Sequence, residues 1–137
     1  MNAFESLGLN ESIVKSITEL GFTSPTPIQE KAIPVLLSGT KDFVGLAQTG
    51  TGKTAAFGLP LLQLIQVSDK FPQALIICPT RELCLQITND LSTFSKHIRG
   101  LSTEAVYGGA SITMQIRNLK KGVQIVVATP GRLIDLI

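Results

Sequence analysis

The run Ala47-Gln48-Thr49-Gly50-Thr51-Gly52-Lys53-Thr54 holds the densest chemistry in this chain. It follows an apolar segment and precedes a helical pattern, the setting of a phosphate loop, with alanine where such loops begin with glycine. Glycines let successive backbone N–H groups turn inward as an anion nest, and a helix N-terminus aims its positive end at the same point. Lys53 then reaches the β- and γ-phosphates, and the Thr54 hydroxyl is a hard oxygen ligand suited to Mg²⁺. A plain glycine turn explains Gly50 and Gly52 but leaves Lys53 and Thr54 without a reason. Gly50-x-Gly52-x-x-Ala55 also fits a dinucleotide fingerprint, which needs an acid at the end of the next strand to hold the ribose. The sequence there is Cys78-Pro79-Thr80-Arg81, so only a 2′-phosphate version through Arg81 survives, and it leaves Lys53 idle. The expected ligand is a nucleoside triphosphate.

The elements that must position this loop follow from apolar spacing. Short apolar runs predict strands at 43–47, 74–78, 103–107 and 123–128, and helical patterns alternate with them at 53–66, 81–97, 111–120 and from 131 onward. Leu83, Ile87, Leu91, Phe94 and Ile98 keep helical spacing through the longest of these. Upstream, Asn10 reads as an N-cap before the stripe Ile13, Val14, Ile17 and Leu20, with Gly21 as the stop. Ser24-Pro25-Thr26-Pro27 breaks the chain, Thr26 caps a second helix with Pro27 in its first turn, Pro34 kinks or restarts it, and Gly39 ends it. Such alternation predicts an α/β fold, a mostly parallel sheet with helices on both faces. Ligands bind such sheets at the carboxyl ends of the strands, where the polar motifs of this sequence fall.

Composition narrows the class. At 137 residues the chain is the size of one domain. Hydrophobic residues make up 44%, which excludes disorder, and charged residues only 16%, against about 25% in ordinary domains. Apolar runs such as 74–78 fall far short of the ~20 residues of a bilayer helix, and 1–6 lacks a basic region before an apolar core. No membrane association and no secretory signal are expected. Cys78 and Cys84, six positions apart, and one histidine, His97, make neither a disulfide framework nor a zinc site. They predict a reducing, cytoplasmic setting, with Cys78 and His97 structural. The net charge of +2 is uneven: residues 1–72 carry −1 and 73–137 carry +3, and from Lys96 to Arg132 six bases (Lys96, Arg99, Arg117, Lys120, Lys121 and Arg132) stand against Glu104 alone. Taken by itself, this bias reads as a solvated helical face.

No base reader of the Asn-Lys-x-Asp type for guanine is present. Instead, Phe4 and the segment Gly21-Phe22-Thr23-Ser24-Pro25-Thr26-Pro27-Ile28-Gln29 resemble the Q motif of DEAD-box RNA helicases. The Gln29 amide offers one donor and one acceptor, the match for N6 and N7 of adenine, and Phe4 or Phe22 can pack on the base. Thr26-Pro27-Ile28-Gln29 equally fits a capping box, in which Gln29 only satisfies a helix start; one side chain can do part of both. Pro79-Thr80-Arg81-Glu82-Leu83 is similar to motif Ia, Gly108-Gly109 to the double glycine, and Thr129-Pro130-Gly131-Arg132 to motif Ib of the same family. The resemblance runs from Phe4 to Arg132; Cys84 stands where the family usually has alanine, a packing change.

That resemblance implies a RecA-like P-loop three-layer sandwich, incomplete in this chain, with residues 1–30 a Q-motif region packing on the motor domain and 31–137 part of its first RecA-like domain. It implies ATP and Mg²⁺ as cofactors, Lys53 and Thr54 as catalytic residues with Thr54 on the metal, and a nucleotide held by Phe4, Phe22, Gln29, Gln48, Thr49, Gly50, Thr51, Gly52, Lys53, Thr54 and Ala55. RNA is expected along Pro79, Thr80, Arg81, Gly108, Gly109, Thr129, Pro130, Gly131 and Arg132. The physical case is that Thr80 and Ser111 stand at helix starts, glycines admit a close backbone, and Arg81 and Arg132 offer planar forks for phosphates. Contacts of this kind follow the sugar–phosphate backbone without reading bases. The Asp-Glu-Ala-Asp and Ser-Ala-Thr motifs do not occur here. The chain is therefore expected to be a truncation that lacks the second RecA-like domain, is inactive alone, and self-associates through uncovered sheet edges. A non-catalytic RNA- or protein-binding module, and a small-molecule P-loop kinase, are the competing functions; the kinase leaves Gln29 and the basic rim without a task.

Overall fold

The computed structural model describes residues 2–47 and 52–137. They form two compact units, Met1–Leu64 with Thr93–Ile98, and Ile65–Ser92 with Arg99–Ile137.

The first unit is helical. A short 3₁₀ turn, Glu5–Leu7, closes on Gly8. Helix α1 (Glu11–Glu19) starts at Asn10, whose side chain accepts from Ile13 N, and ends before Gly21 at φ 90°. Ile13, Val14 and Ile17 are buried as the stripe predicts, while Leu20 is exposed. Helix α2 (Pro27–Leu37) carries Thr26 as N-cap and runs through Pro34 without a restart, although proline gives the carbonyl of Glu30 no N–H partner. Helix α3 (Lys53–Leu64) tolerates a buried Pro60 in the same way. These two helices pack together and bury Ala32, Ile33, Ala55, Ala56, Leu59 and Leu62. Gln63 anchors α3 to the chain ahead of α1, accepting from Asn10 N and donating to Gly8 O, both at 2.8 Å. Further on, Lys96 and His97 both approach Glu19 at 3.0 Å and hold its carboxyl below the usual range. His97 is thus a hydrogen-bond partner of Glu19, and Lys96 is not a free cation of the basic bias.

The strand expected at 43–47 is not formed. Residues 41–47 have no regular structure, and Val44 and Leu46 are 89% and 96% exposed. A strand exists only through ladder bonds to a neighbour, and none of the described residues pairs with this segment.

The second unit contains the sheet. Strands β1 (Ala74–Ile77), β2 (Thr103–Val106) and β3 (Ile125–Ala128) are parallel in the order β1-β3-β2. The remaining helices are α4 (Arg81–Phe94), α5 (Ile112–Lys121) and α6 (Pro130–Leu136). β3 is central and buried along its whole length. Leu119 of α5 and Leu133 and Leu136 of α6 pack against Val126 and Ala128 on one face. Ile125 and Val127, which alternate to the other face, are fully buried too. The register pairs Ile77 and Val106 with Ala128, so the loops after all three strands leave the sheet along one edge. At the opposite end the fully buried Gln124 accepts from Ser102 N and donates to Val67 O and Gly100 O, holding two loops together. No helix of the described residues is long and apolar enough to cross a membrane.

Both thiols are buried beside β3. Cys84 Sγ donates to Val127 O at 3.1 Å, and Cys78 Sγ lies 3.6 Å from Ala128 O. Burial, then the neighbouring Cys78, pushes the Cys84 thiol up to about 12. A thiolate is the reactive form, so Cys84 is expected to resist iodoacetamide at neutral pH until the protein is unfolded. Labelling of native protein at the rate of a free thiol, read by mass, would contradict the packing described here.

Candidate functional site

Residues Gln48, Thr49, Gly50 and Thr51 of the glycine loop lie outside the described residues. Its last glycine, Gly52, is described. Gly52 adopts φ 80°, and a Cβ there would strike Gln29 Nε2. The position is closed to other residues both by backbone conformation and by space. Gln29, only 2% exposed, uses both ends of its amide. Nε2 donates to Gly52 O at 3.2 Å and Oε1 accepts from Thr26 N at 3.0 Å, while Thr26 Oγ1 accepts from Gln29 N at 3.4 Å. The capping box is therefore complete, and the same amide ties α2 to the start of α3. One amide hydrogen and one lone pair are left over.

Beyond Gly52, α3 opens with Lys53, Thr54 and Ala55. Lys53 is exposed and has no ion-pair or hydrogen-bond partner among the described residues; Thr54 is half-buried and Ala55 buried. Lys53 borders a cavity of about 310 Å³ with Ile28, Phe43 and Phe57. An unpartnered ammonium, the N-terminus of a twelve-residue helix and a glycine that must lack Cβ fit a polyphosphate. No group of three or more His, Cys, Asp or Glu among the described residues is placed to hold a metal; Thr54 supplies one oxygen only.

The two aromatic candidates separate. Phe4 is fully buried, with its ring centroid 6.2 Å from Phe22, which in turn meets Phe94 edge-on at 6.0 Å. A fully enclosed ring presents no free face, so Phe22, half-buried, is the aromatic with surface to offer.

In the second unit, Pro79, Thr80, Arg81, Gly108, Gly109, Pro130 and Gly131 are exposed along the carboxyl edge of the sheet, with Thr129 half-buried. Thr80 and Ser111 serve as N-caps, accepting from Leu83 N at 3.2 Å and Met114 N at 3.3 Å. The Arg81 guanidinium lies 5.5 Å from the centroid of the Tyr107 ring, within cation–π range. Gly109, at φ 89°, admits it: a Cβ there would sit 3.0 Å from Arg81 Nη1.

Arg132 does not present an open fork. Its side chain is only 12% exposed and turns inward. Nη1 donates to Ala110 O at 3.1 Å and to Gln115 Oε1 at 2.9 Å, and Nε lies 3.5 Å from Asp135 Oδ2 without a hydrogen bond. The Ala110 carbonyl and the buried Gln115 amide oxygen draw the guanidinium inward, since a buried acceptor without a donor is costly. Gln115, buried at 4% exposure, also donates to Tyr107 O at 3.1 Å. Sequence reading missed it, though a signal exists: it takes a core-facing place between Ile112 and Leu119, three and four positions away, where an apolar residue is the norm.

Comparison with known proteins accords with this geometry. The family model described as DEAD/DEAH box helicase matches residues 26–137. The chain is 55% identical to the ATP-dependent RNA helicase CshA of Listeria monocytogenes, covering all of this chain and 26% of that protein. It is 51% identical to the ATP-dependent RNA helicase DeaD of Escherichia coli, covering 96% of this chain and 21% of that protein. The solved structure of a DEAD box protein from Methanococcus jannaschii superposes with TM-score 0.91 at 39% identity, over 98% of this chain and 36% of that one. The chain thus spans about a fifth to a quarter of the length of these curated relatives. The fold is the α/β, RecA-like one expected. The described glycine of the loop, the Gln29 box and the edge motifs all sit in the matched stretch, and the chain belongs to the DEAD/DEAH box helicase family.

Proposed function

We propose that the complete gene product is a cytoplasmic ATP-dependent RNA helicase, an RNA-stimulated ATPase that locally melts RNA duplexes, and that this chain carries its nucleotide-binding residues and part of its RNA surface. The observation that carries this is the Gln29–Gly52 bond: it joins the segment suited to adenine with the glycine loop suited to phosphate. Residues 1–30 form the adenine-side region and 31–137 the first part of the motor domain. The remaining hydrogen and lone pair of Gln29 face adenine, and Phe22, backed by Phe4, packs on the base. Gln48, Thr49, Gly50, Thr51, Gly52 and Ala55 offer backbone N–H groups, Lys53 neutralises the terminal phosphates, and Thr54 gives one ligand to Mg²⁺. Bound ATP supplies a phosphoanhydride whose cleavage resets the motor. RNA lies along Pro79, Thr80, Arg81, Gly108, Gly109, Thr129, Pro130 and Gly131, with Arg132 supporting the loop from beneath. A second RecA-like domain completes both sites and bends one RNA strand on closing. Without it this segment does not turn over ATP, and exposed Leu75 and Ile77 on edge strand β1 favour its self-association.

The test is ATP hydrolysis by the complete gene product with and without single-stranded RNA. Stimulation by RNA is expected, and its absence contradicts the proposal. Arg81→Ala is expected to weaken RNA binding and to lower the slope of log affinity against log salt by about 0.7, one phosphate contact on a single strand. An unchanged slope removes Arg81 from the interface.

A further inference from the structure

We propose that Gln115 is a positioning residue for RNA binding, the single amide that locks three edge segments into one surface; this rests on the RNA reading above. The three segments come from distant parts of the chain. Arg81 follows β1, Tyr107 and the double glycine follow β2, and Arg132 follows β3. Each connects to the next through a direct side-chain contact. Arg81 lies over the Tyr107 ring. The Tyr107 carbonyl accepts from Gln115 Nε2, and Gln115 Oε1 accepts from Arg132 Nη1, which also reaches Ala110 O. Gln115 is the only described side chain that bonds both the end of β2 and the start of α6.

Burial makes the amide more than a spectator. With 4% exposure at Gln115 and 12% at the Arg132 side chain, water does not replace a lost bond readily. Among the described residues the guanidinium has no acidic partner closer than Asp135 at 3.5 Å, so the two neutral oxygens at 2.9 and 3.1 Å do most of its anchoring. Remove the Gln115 oxygen and Arg132 is released; remove its N–H and the Tyr107 carbonyl is released, and with it the platform under Arg81. A residue that touches no RNA then governs the spacing of the groups that do. The amide is suited to this because it donates and accepts at once; glutamate keeps only the acceptor and methionine keeps neither.

The experiment uses the complete gene product carrying Gln115→Met, Gln115→Glu, Arg132→Met and the Gln115→Met/Arg132→Met pair. A fluorescent single-stranded RNA oligonucleotide reports RNA affinity, and a fluorescent adenine nucleotide reports nucleotide affinity. Gln115→Met is expected to weaken RNA binding about tenfold, the loss of hydrogen bonds to a buried cation. Nucleotide affinity should stay within about twofold, and the KM for RNA should rise while the KM for ATP does not. The pair should be no weaker for RNA than the worse single variant, because both act through one network. Gln115→Glu should fall between the parent and Gln115→Met. Unchanged RNA affinity in Gln115→Met, additive losses in the pair, or equal losses in RNA and nucleotide binding would each overturn the inference. If Gln115→Met does not fold, Gln115→Glu and Arg132→Met are compared in the same way, and unchanged RNA affinity in both is equally fatal. Failure of the unsubstituted protein to bind RNA would overturn the RNA reading itself, whereas loss of RNA binding in Arg81→Ala but not in Gln115→Met would sink this inference alone.

Discussion

Lys53→Ala in the complete gene product is expected to lower the proposed ATP turnover by about a hundredfold or more, the usual effect of removing one preorganised group from a developing phosphoryl charge. The expectation rests on what Lys53 does not do. It is exposed at the first position of α3 and pairs with no described acid, so the fold spends nothing to hold it. Its removal should therefore leave the melting temperature within about a degree, since surface substitutions of this kind stay within about 0.5 kcal/mol. Turnover falling together with thermal stability would mean that Lys53 supports the fold. Turnover within a few-fold of the parent would mean that the glycine loop does not grip phosphate.

Gln29→Leu has the second large effect, and it separates the two tasks of one side chain. Capping predicts a loss of about 1–3 kcal/mol in stability, because Thr26 N loses its acceptor and Gly52 O a donor at a half-buried site. Adenine reading predicts in addition that the preference for ATP over GTP disappears. Chemical denaturation measures the first, and competition between the two nucleotides measures the second. If stability drops while the preference for ATP persists, the amide is a cap and a tether, and the base is read by other groups. The tether remains of interest either way, since it couples the start of α2 to the glycine loop across 23 positions of sequence.

Much of this molecule is legible in its sequence. Asn10, Thr26 and Ser111 cap the helices they precede, Gly21 and Gly39 take the positive φ of helix ends, and the strand–helix alternation from 74 onward is real. Each of these depends on residues within a turn or two, where spacing alone specifies which donor meets which acceptor. The edge motifs were placed correctly for a related reason: parallel strands joined by helices must all end on one side.

What resisted reading was decided by contacts between residues far apart. Arg132 has the same type and helix position whether it points to solvent or to Gln115, and only the folding of α5 beneath it, 17 positions earlier, settles the choice. Gln115 and Gln124 are polar residues at buried places, and their partners are loop backbone groups and, for Gln115, also the Arg132 guanidinium, which no local pattern brings near. Phe4 is fully buried with the Phe22 ring 6.2 Å away, a burial that its place in the sequence does not reveal. Segment 43–47 fails as a strand because a ladder needs a second chain segment alongside, and apolar alternation cannot supply one. Local sequence determined the caps, turns and motif order, since short-range geometry suffices for those; direction, burial and partnership came from tertiary packing, where a donor's choice depends on which acceptors the fold leaves unmet.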